Sequence, residues 1–339
     1  MMKILVIRLL GLGDIANILI PAVRMIKEED PLSSVDALVF GSGVELAELC
    51  PEIDNVLRVE KAQWPNDPLS AIASFSSIAL FLIQRNYDKI ICIDTWFMPC
   101  YLATFLREAG QNVQGNFISQ STEAVSQDII NGKADPDYFK STNFLVSSFN
   151  NMNDWKGKWW ESNHDYDHYA LFYLQHCCSF KGAYDLSLNV SVDEELEAIA
   201  NKQKVVAVNY SGSGKNKEYL DHQKLIDSLR DTGFHVWSSF DGSQSMLKTL
   251  EMLKASHLLI TVATSSQWLA KAVGTPSLIL PGSVPPVVLG AEFFVERHLD
   301  CQFCLQIECV ANKDYECMKI PYPKIVQLAK EILSDIPKN

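Results

Sequence analysis

Two series of short apolar runs rich in β-branched residues constrain the fold of this 339-residue chain more than any other feature. Helical stretches separate the runs. Strands that are buried on both faces are continuously hydrophobic, which is typical of parallel sheets covered by helices. The sequence therefore predicts an α/β protein with two mostly parallel sheets. The runs lie at 4–9, 35–40 and 89–93, and then at 205–210, 235–240, 258–262 and 277–280.

The two series predict two domains. The polar stretch 116–163, which separates them, is typical of a long insertion or loop rather than of a sheet unit. A helix is expected from about Tyr166 to Cys178, and Lys181-Gly182 ends it. We therefore expect an N-terminal domain over residues 1–182 and a C-terminal domain over residues 183–339.

Charge and hydropathy exclude several classes of protein. The chain has 29 basic and 41 acidic residues, and a net charge of −12 repels nucleic acid and anionic lipid at long range. The longest weakly polar run, 70–83, is too short and too rich in serine to cross hydrocarbon about 30 Å thick. The N-terminal apolar run has no small-residue cleavage site after it. These observations predict a cytoplasmic protein without a nucleic-acid partner and with at most peripheral contact to a membrane.

The first candidate site is the glycine turn from Leu9 to Ala16, directly after the first strand. Glycines permit a tight turn and a close ligand approach, and Asp14 lies at the carboxyl end of a parallel strand, where α/β proteins bind ligands. The turn also fits the G-x-G-x-x-A dinucleotide fingerprint, so an NAD-dependent oxidoreductase is an alternative. The second strand, however, ends Phe40-Gly41-Ser42, without the acidic residue that would hold a ribose. A turn without chemistry is the third alternative.

Two further candidate sites follow strands of the second series. Small residues, hydroxyls and lysines after Val205–Tyr210 are typical of a diphosphate site, although their spacing is not that of a P-loop and a flexible surface loop is an alternative. After the strand at 258–262, hydroxyls and backbone amides at a helix start form a second anion cradle, unless they only cap the helix. The predicted donor-binding set is Ser211, Ser213, Lys215, Lys217, Asp241, Thr264, Ser265 and Ser266.

Five segments in order resemble the ADP-heptose:lipopolysaccharide heptosyltransferase family, glycosyltransferase family nine. Lys217-Glu218-Tyr219-Leu220 occupies the place of the family's usual Lys-Arg-Trp-Pro. The other matches are the start of the chain (Lys3 to Leu9, Gly13-Asp14, Pro21 and Lys27 to Pro31), Tyr87-Asp88 to Asp94, Ala270 to Pro276, and Cys301-x-x-Cys304 through Cys317-Met318.

The resemblance implies a GT-B enzyme with two facing Rossmann-like domains, the acceptor bound by the first and a nucleotide-diphosphate sugar by the second. It implies inversion at the anomeric carbon with no catalytic metal and no cofactor beyond the donor. Asp14 matches the general base, Gly13 and Asp94 the acceptor side, and Lys217 the diphosphate-binding lysine. ADP-heptose is the implied donor, and a glycan such as lipopolysaccharide core is the implied acceptor.

The chain departs from the family pattern at one helix start. Where the family has Asp-Ser/Thr-Gly-x-x-His, this sequence has Ala263-Thr264-Ser265-Ser266-Gln267-Trp268, so that the acid and the histidine are both replaced. A catalytically weakened relative that still binds nucleotide-sugars is therefore an alternative to an active enzyme.

Four cysteines near the C-terminus form a separate candidate site. Cys301, Cys304, Cys309 and Cys317 could supply four thiolates to a structural zinc or iron ion. In a reducing cytoplasm the alternative is four reduced thiols, and a disulfide is a third.

Overall fold

The computed structural model describes residues 1–60, 68–140, 142–162 and 165–335. The chain divides into two compact units. The first unit comprises residues 1–164 and 170–185, and the second comprises residues 165–169 and 186–339. The main division thus follows Asp185, three residues after the expected boundary, and the short segment 165–169 packs with the second unit.

The first unit is built on a six-stranded sheet with the order β3-β2-β1-β4-β5-β6. β1 lies at its centre and is paired in parallel with β2 and β4. Four of its five residues are buried, as a strand covered on both faces requires. β6 is antiparallel to β5 and ends the sheet. The strands are β1 (Lys3–Ile7), β2 (Ser34–Phe40), β3 (Asn55–Val59), β4 (Lys89–Cys92), β5 (Val113–Ile118) and β6 (Leu145–Ser147).

Helices connect the strands of this sheet and cover it. The short α1 continues through a π-helical segment, Ile15–Leu19, into α2, whose apolar residues are buried on one face. The helices up to residue 185 are α1 (Leu12–Asp14), α2 (Ile20–Glu29), α3 (Val44–Glu48), α4 (Pro68–Gln84), α5 (Phe97–Glu108), α6 (Thr122–Ile130), α7 (Pro136–Lys140), α8 (Trp159–Ser162) and α9 (Tyr169–Leu171). A second π-helical segment covers Phe172–Cys177.

The second unit is built on a five-stranded parallel sheet with the order β11-β10-β9-β7-β8. Its strands are β7 (Val205–Asn209), β8 (His235–Trp237), β9 (Leu258–Val262), β10 (Ser277–Leu280) and β11 (Phe293–Phe294). Its helices are α10 (Glu194–Lys202), α11 (His222–Asp231), α12 (Met246–Lys254), α13 (Ser265–Ala272), α14 (Pro286–Leu289) and α15 (Tyr322–Asp335). α11 and α15 pack against one face of the sheet over a core of Leu225, Leu229, Ile260, Ile325 and Ala329.

The predicted α/β class with mostly parallel sheets is confirmed, but the interpretation of 116–163 as an insertion or loop is wrong. Its first residues complete β5, and β6 lies near its middle. Asn116, a polar residue in a strand, is completely buried because its amide donates to the Asp94 carbonyl and to the Tyr173 hydroxyl. The Asn116 Oδ1 has no hydrogen-bond partner among the described residues. A buried polar side chain of this kind makes a strand look like a polar segment in the sequence. Among the described helices, none has the length and the apolar character needed to cross a membrane.

Candidate active site

The glycine turn after β1 places Asp14 at the start of a helix. Gly11 caps α1, and the backbone amide of Asp14 donates to the Gly11 carbonyl at 2.8 Å. Gly13 is half-buried within the same turn. The side chain of Asp14 is 35% exposed, so its carboxylate is open to solvent on one side and packed on the other. The π-helical segment that follows is a form often found beside functional sites.

The packed side of Asp14 contacts Arg8, which sequence reasoning missed. Arg8 directly follows β1 and is only 2% exposed. Its Nη2 donates to Asp14 Oδ1, and its Nη1 donates to the Ile93 carbonyl at 2.6 Å. The guanidinium also lies over the Tyr173 ring, 5.6 Å from the centroid. The sequence signal for Arg8 was a charged residue at the end of a continuously apolar strand. An arginine at such a position is buried only where it has partners, so partners could have been expected.

Asp94 lies behind this pair and not at the surface. Its side chain is completely buried, and its predicted acceptor-binding role stays a prediction. Its Oδ2 accepts from the Leu9 amide at 2.6 Å, and its Oδ1 lies 3.8 Å from Arg8 Nη1. Burial raises the pKa of Asp94, while the Arg8 charge and the Leu9 amide oppose this shift. Asp94 therefore acts on the turn through Arg8 and Leu9.

The end of β2 disfavours the dinucleotide interpretation. β2 ends at Phe40, and a 3₁₀ turn, Gly41–Gly43, follows it directly. A β carbon at Gly41 would lie 3.1 Å from the Arg58 guanidinium. Arg58 itself is paired with Glu60. Phe40 and the turn Gly41–Gly43 thus include no acidic residue that could hold a ribose, and the carboxylate next to this turn, Glu60 Oε2 at 3.2 Å from the same β-carbon position, is paired with Arg58.

In the second unit, the loop after β7 is closed by backbone bonds. Ser211 and Glu218 form an antiparallel bridge, and the Tyr219 amide donates to the Tyr210 carbonyl at 2.8 Å. Lys215–Lys217 form a 3₁₀ turn between these two ends, while Ser211 and Ser213 are exposed. The loop therefore has a defined path that presents hydroxyls and lysines together.

Asn216 fastens the tip of this loop to neighbouring turns. It is buried, and its Nδ2 donates to Ser283 Oγ at 3.2 Å and to the Gln306 carbonyl at 3.3 Å. These bonds oppose the interpretation of 209–217 as a free surface loop, because a buried amide with two acceptors fixes the backbone on either side of it.

A buried hydrogen bond connects the loop after β7 to the start of α13. Asn209, the last residue of β7, donates from Nδ2 to Ser266 Oγ at 2.5 Å. Because β7 and β9 are neighbours, the loop after β7 and the helix start after β9 lie at the same sheet edge. Thr264 is the N-cap of α13, yet within the described chain its hydroxyl makes no capping bond. Capping therefore does not account for the Thr264 hydroxyl, which is half-buried beside Ser265.

Asp241 is exposed on the loop after β8, the strand next to β7. Its Oδ1 accepts from the amide and the hydroxyl of Ser243, at 3.0 and 2.5 Å. These bonds hold the pKa of Asp241 below its usual value. Its carboxylate thus has a local structural role in addition to any contact with a donor.

The two positions that depart from the family pattern are both buried. Ala263 and Trp268 are 4% and 8% exposed. The Trp268 ring packs edge-on against His168 with 5.4 Å between the centroids. Burial lowers the pKa of His168 to about 3, and the nearby Lys271 charge acts in the same direction. Trp268 therefore packs on a neutral imidazole from the segment 165–169.

The four C-terminal cysteines line one cavity of about 30 Å³, next to Asn216 and Ser283. Burial, together with the other three cysteines, raises the pKa of Cys317. Backbone amides of residues 311–315 lower the pKa of Cys309. All four thiols are free of disulfides, and within the described residues no group of three or more His, Cys, Asp or Glu is arranged to hold a metal ion. Metal binding by these thiols stays a prediction.

Comparison with solved structures identifies the fold. The chain is similar to a glycosyl transferase family 9 protein from Veillonella parvula, with a TM-score of 0.67 and 15% identity over 99% of this chain and 98% of that one. It is also similar to E. coli ADP-heptose lps heptosyltransferase II, with a TM-score of 0.61 and 14% identity over 98% and 99%. E. coli heptosyltransferase WaaC with ADP gives a TM-score of 0.58 and 12% identity over 98% and 100%.

These similarities show a fold of the glycosyltransferase type across nearly the whole chain. The resemblance to the heptosyltransferases and the expected GT-B fold are thereby confirmed at the level of structure. No protein-family model matches the sequence, and no curated protein matches it either.

Proposed function

We propose that this protein is an inverting glycosyltransferase that moves a sugar from a nucleotide-diphosphate donor to a glycan acceptor, with Asp14 as the general base. The observation that carries the proposal is the partly exposed Asp14 carboxylate, held from behind by buried Arg8 at the carboxyl end of the central strand β1. Solved glycosyltransferases of the same fold support it.

Asp14 has the chemistry of a base with one occupied and one available oxygen. Oδ1 accepts from Arg8, and Oδ2 has no hydrogen-bond partner among the described residues. In this proposal, Oδ2 accepts the proton of an acceptor hydroxyl. As that proton moves to Oδ2, the acceptor oxygen forms a bond to the anomeric carbon of the donor. Gly13 in the same turn allows the acceptor to approach the backbone.

The second unit supplies the groups for the leaving diphosphate. Attack on the face opposite the diphosphate breaks the sugar–oxygen bond, and the electron pair leaves with the diphosphate. Lys215 and Lys217 are the cations of the loop after β7, and the amides of Ser265 and Ser266 lie at the start of α13. Fixed positive charge and amide dipoles stabilise the developing negative charge without reorganisation. Ser211, Ser213 and the Thr264 hydroxyl complete the proposed diphosphate contacts.

ADP-heptose is the donor that we propose first, and lipopolysaccharide core is the acceptor that we propose first. Two structural neighbours, E. coli ADP-heptose lps heptosyltransferase II and E. coli heptosyltransferase WaaC with ADP, motivate this choice. The mechanism requires no cofactor beyond the donor.

A panel of nucleotide-sugars tests the proposal. We expect ADP-heptose to raise the melting temperature more than GDP-, UDP- and dTDP-sugars, since a ligand at 100 times its dissociation constant adds about 2.7 kcal/mol. The stabilising donor should then be consumed in a transfer assay that contains core glycan. Lys217→Ala should weaken the stabilisation by the donor. Lys224→Ala is its control, because Lys224 is an exposed lysine of the same unit that is paired with Asp221. No stabilisation by any donor, and no transfer, would contradict the proposed function.

A second candidate is a relative that binds nucleotide-sugars without transferring them. The observation in its favour is the loss of the family's acid and histidine at Ala263 and Trp268, both of which are packed in the interior. Donor stabilisation with no transfer in the same assay, unchanged by Asp14→Asn, would select this candidate.

A further inference from the structure

Arg8, Asp94 and Tyr173 form a network of charged and polar groups behind Asp14. Arg8 contacts Asp14, Asp94 and the Ile93 carbonyl. The Tyr173 hydroxyl donates to the same carbonyl at 2.9 Å. Of the two carboxylates that flank the guanidinium, only Asp14 reaches solvent.

Burial of a guanidinium between two carboxylates has a high desolvation cost, so it contributes little to stability compared with apolar packing. Its benefit is geometric, because a planar fork with several donors fixes the direction of each partner. Here the fork joins the end of β1 to the end of β4 and to the first turn of α1. The three elements meet where the proposed base must be placed.

Catalysis by a general base depends on this placement. The carboxylate oxygen must lie about 2.6–3.2 Å from the acceptor hydroxyl. A displacement of about 1 Å can reduce the rate by about 100-fold. Asp14 is on a turn with two glycines, Gly11 and Gly13, whose backbone does not by itself fix a side-chain rotamer.

We propose that Arg8 is a positioning residue for Asp14, and that buried Asp94 orients Arg8 from the opposite side. Arg8 holds Oδ1 and thereby directs Oδ2 toward the acceptor. Asp94 restrains the other side of the guanidinium and also binds the Leu9 amide, so the turn and the arginine move together. This inference rests on the proposed role of Asp14 as the base.

The first test is Arg8→Lys, which keeps the positive charge but removes the fork. We expect kcat for transfer to fall by about 10- to 100-fold, with the KM for the donor changed by less than about 2-fold. Asp94→Asn, which retains an oxygen for the Leu9 amide, should reduce kcat in the same direction by a smaller factor, and it keeps the test available if Arg8→Lys does not fold. Arg24→Lys is the matched control, because Arg24 bonds Asp185 on the same unit and lies outside this network.

A double-mutant cycle separates positioning from general structural support. In an Asp14→Asn background, Arg8→Lys should change the residual kcat by less than about 2-fold, because the base that it positions is already absent. An equal loss in both backgrounds would overturn the proposal. A normal rate in Asp14→Asn would instead overturn the proposed function, so the two failures are distinguishable.

A crystal structure of Arg8→Lys gives a readout that does not depend on turnover. We expect the Asp14 carboxylate to leave its wild-type rotamer or to occupy more than one, while the Gly11–Asp14 backbone is unchanged. A single Asp14 rotamer identical to that of the wild-type protein would overturn the positioning role even if no transfer substrate has been found.

Discussion

Removal of the Ser266 hydroxyl is a sharp test of how the two donor-site segments are joined. Asn209 and Ser266 are 8% and 6% exposed, and a hydrogen bond of 2.5 Å connects their side chains. Ser266→Ala leaves the Asn209 amide buried without this acceptor. A buried polar group that loses its partner costs about 1–3 kcal/mol. The improvement in helix propensity from serine to alanine offsets only a few tenths of a kcal/mol to about 0.5 kcal/mol.

Differential scanning calorimetry measures this loss. After the gain in helix propensity, a net loss of about 0.5–2.5 kcal/mol remains. A change of 1 kcal/mol lowers the melting temperature of a domain of about 150–250 residues by about 2–4 °C, so Ser266→Ala should lower the transition of the second unit by about 1–10 °C. Ser265→Ala is the matched control, since Ser265 is the half-buried neighbour on the same helix turn. In a double-mutant cycle, Asn209→Ala should cost less when Ser266 is already alanine. Equal melting temperatures for the two serine variants would refute the reasoning.

Three further predictions concern charge, metal and pH. Lys217→Ala should weaken donor binding as well as turnover, whereas Lys224→Ala should change neither by more than about 2-fold; isothermal titration with the donor decides this. If the cysteines bind a metal, the purified protein should contain about one zinc or iron per chain, and a Cys301→Ser/Cys304→Ser variant should lack it, as elemental analysis will show. Because burial holds the pKa of His168 at about 3 while an unfolded histidine titrates near 6.5, stability should fall as pH drops below about 6.5, by about 2 kcal/mol at pH 5. In His168→Phe, the difference between the unfolding free energies measured at pH 7 and pH 5 should lack this contribution. A difference equal to that of the wild-type protein would contradict the prediction.

The central strands and the glycine turn could be predicted because their signals are local. β1, β7 and β9 are continuous apolar runs, and Asp14 follows two glycines at a strand end. The edge strand β3 was not predicted because exposed polar residues interrupt its apolar residues and the strand has only five positions. β6 has three residues, which is too short for a periodic pattern.

The missed parts of the site depend on contacts that are distant in sequence. Arg8 and Asp94 are separated by 86 positions, and only the pairing of β1 with β4 brings them together. The same pairing explains why Asp94, an acid at a strand end, is buried behind the turn. In the second unit, Asn216 is fixed by Ser283 and Gln306, which no pattern near residue 216 reveals.

Turnover of Asp14→Asn, measured together with donor affinity, tests the central claim most directly. The substitution keeps the size of the side chain and can still accept from Arg8, but it removes the base. We expect kcat for transfer to fall by about 10²- to 10⁴-fold, the range usual for loss of a general base, while the dissociation constant of the donor changes by less than about 2-fold. A variant that transfers sugar at the wild-type rate would contradict the account, and so would a loss of rate fully explained by weaker donor binding.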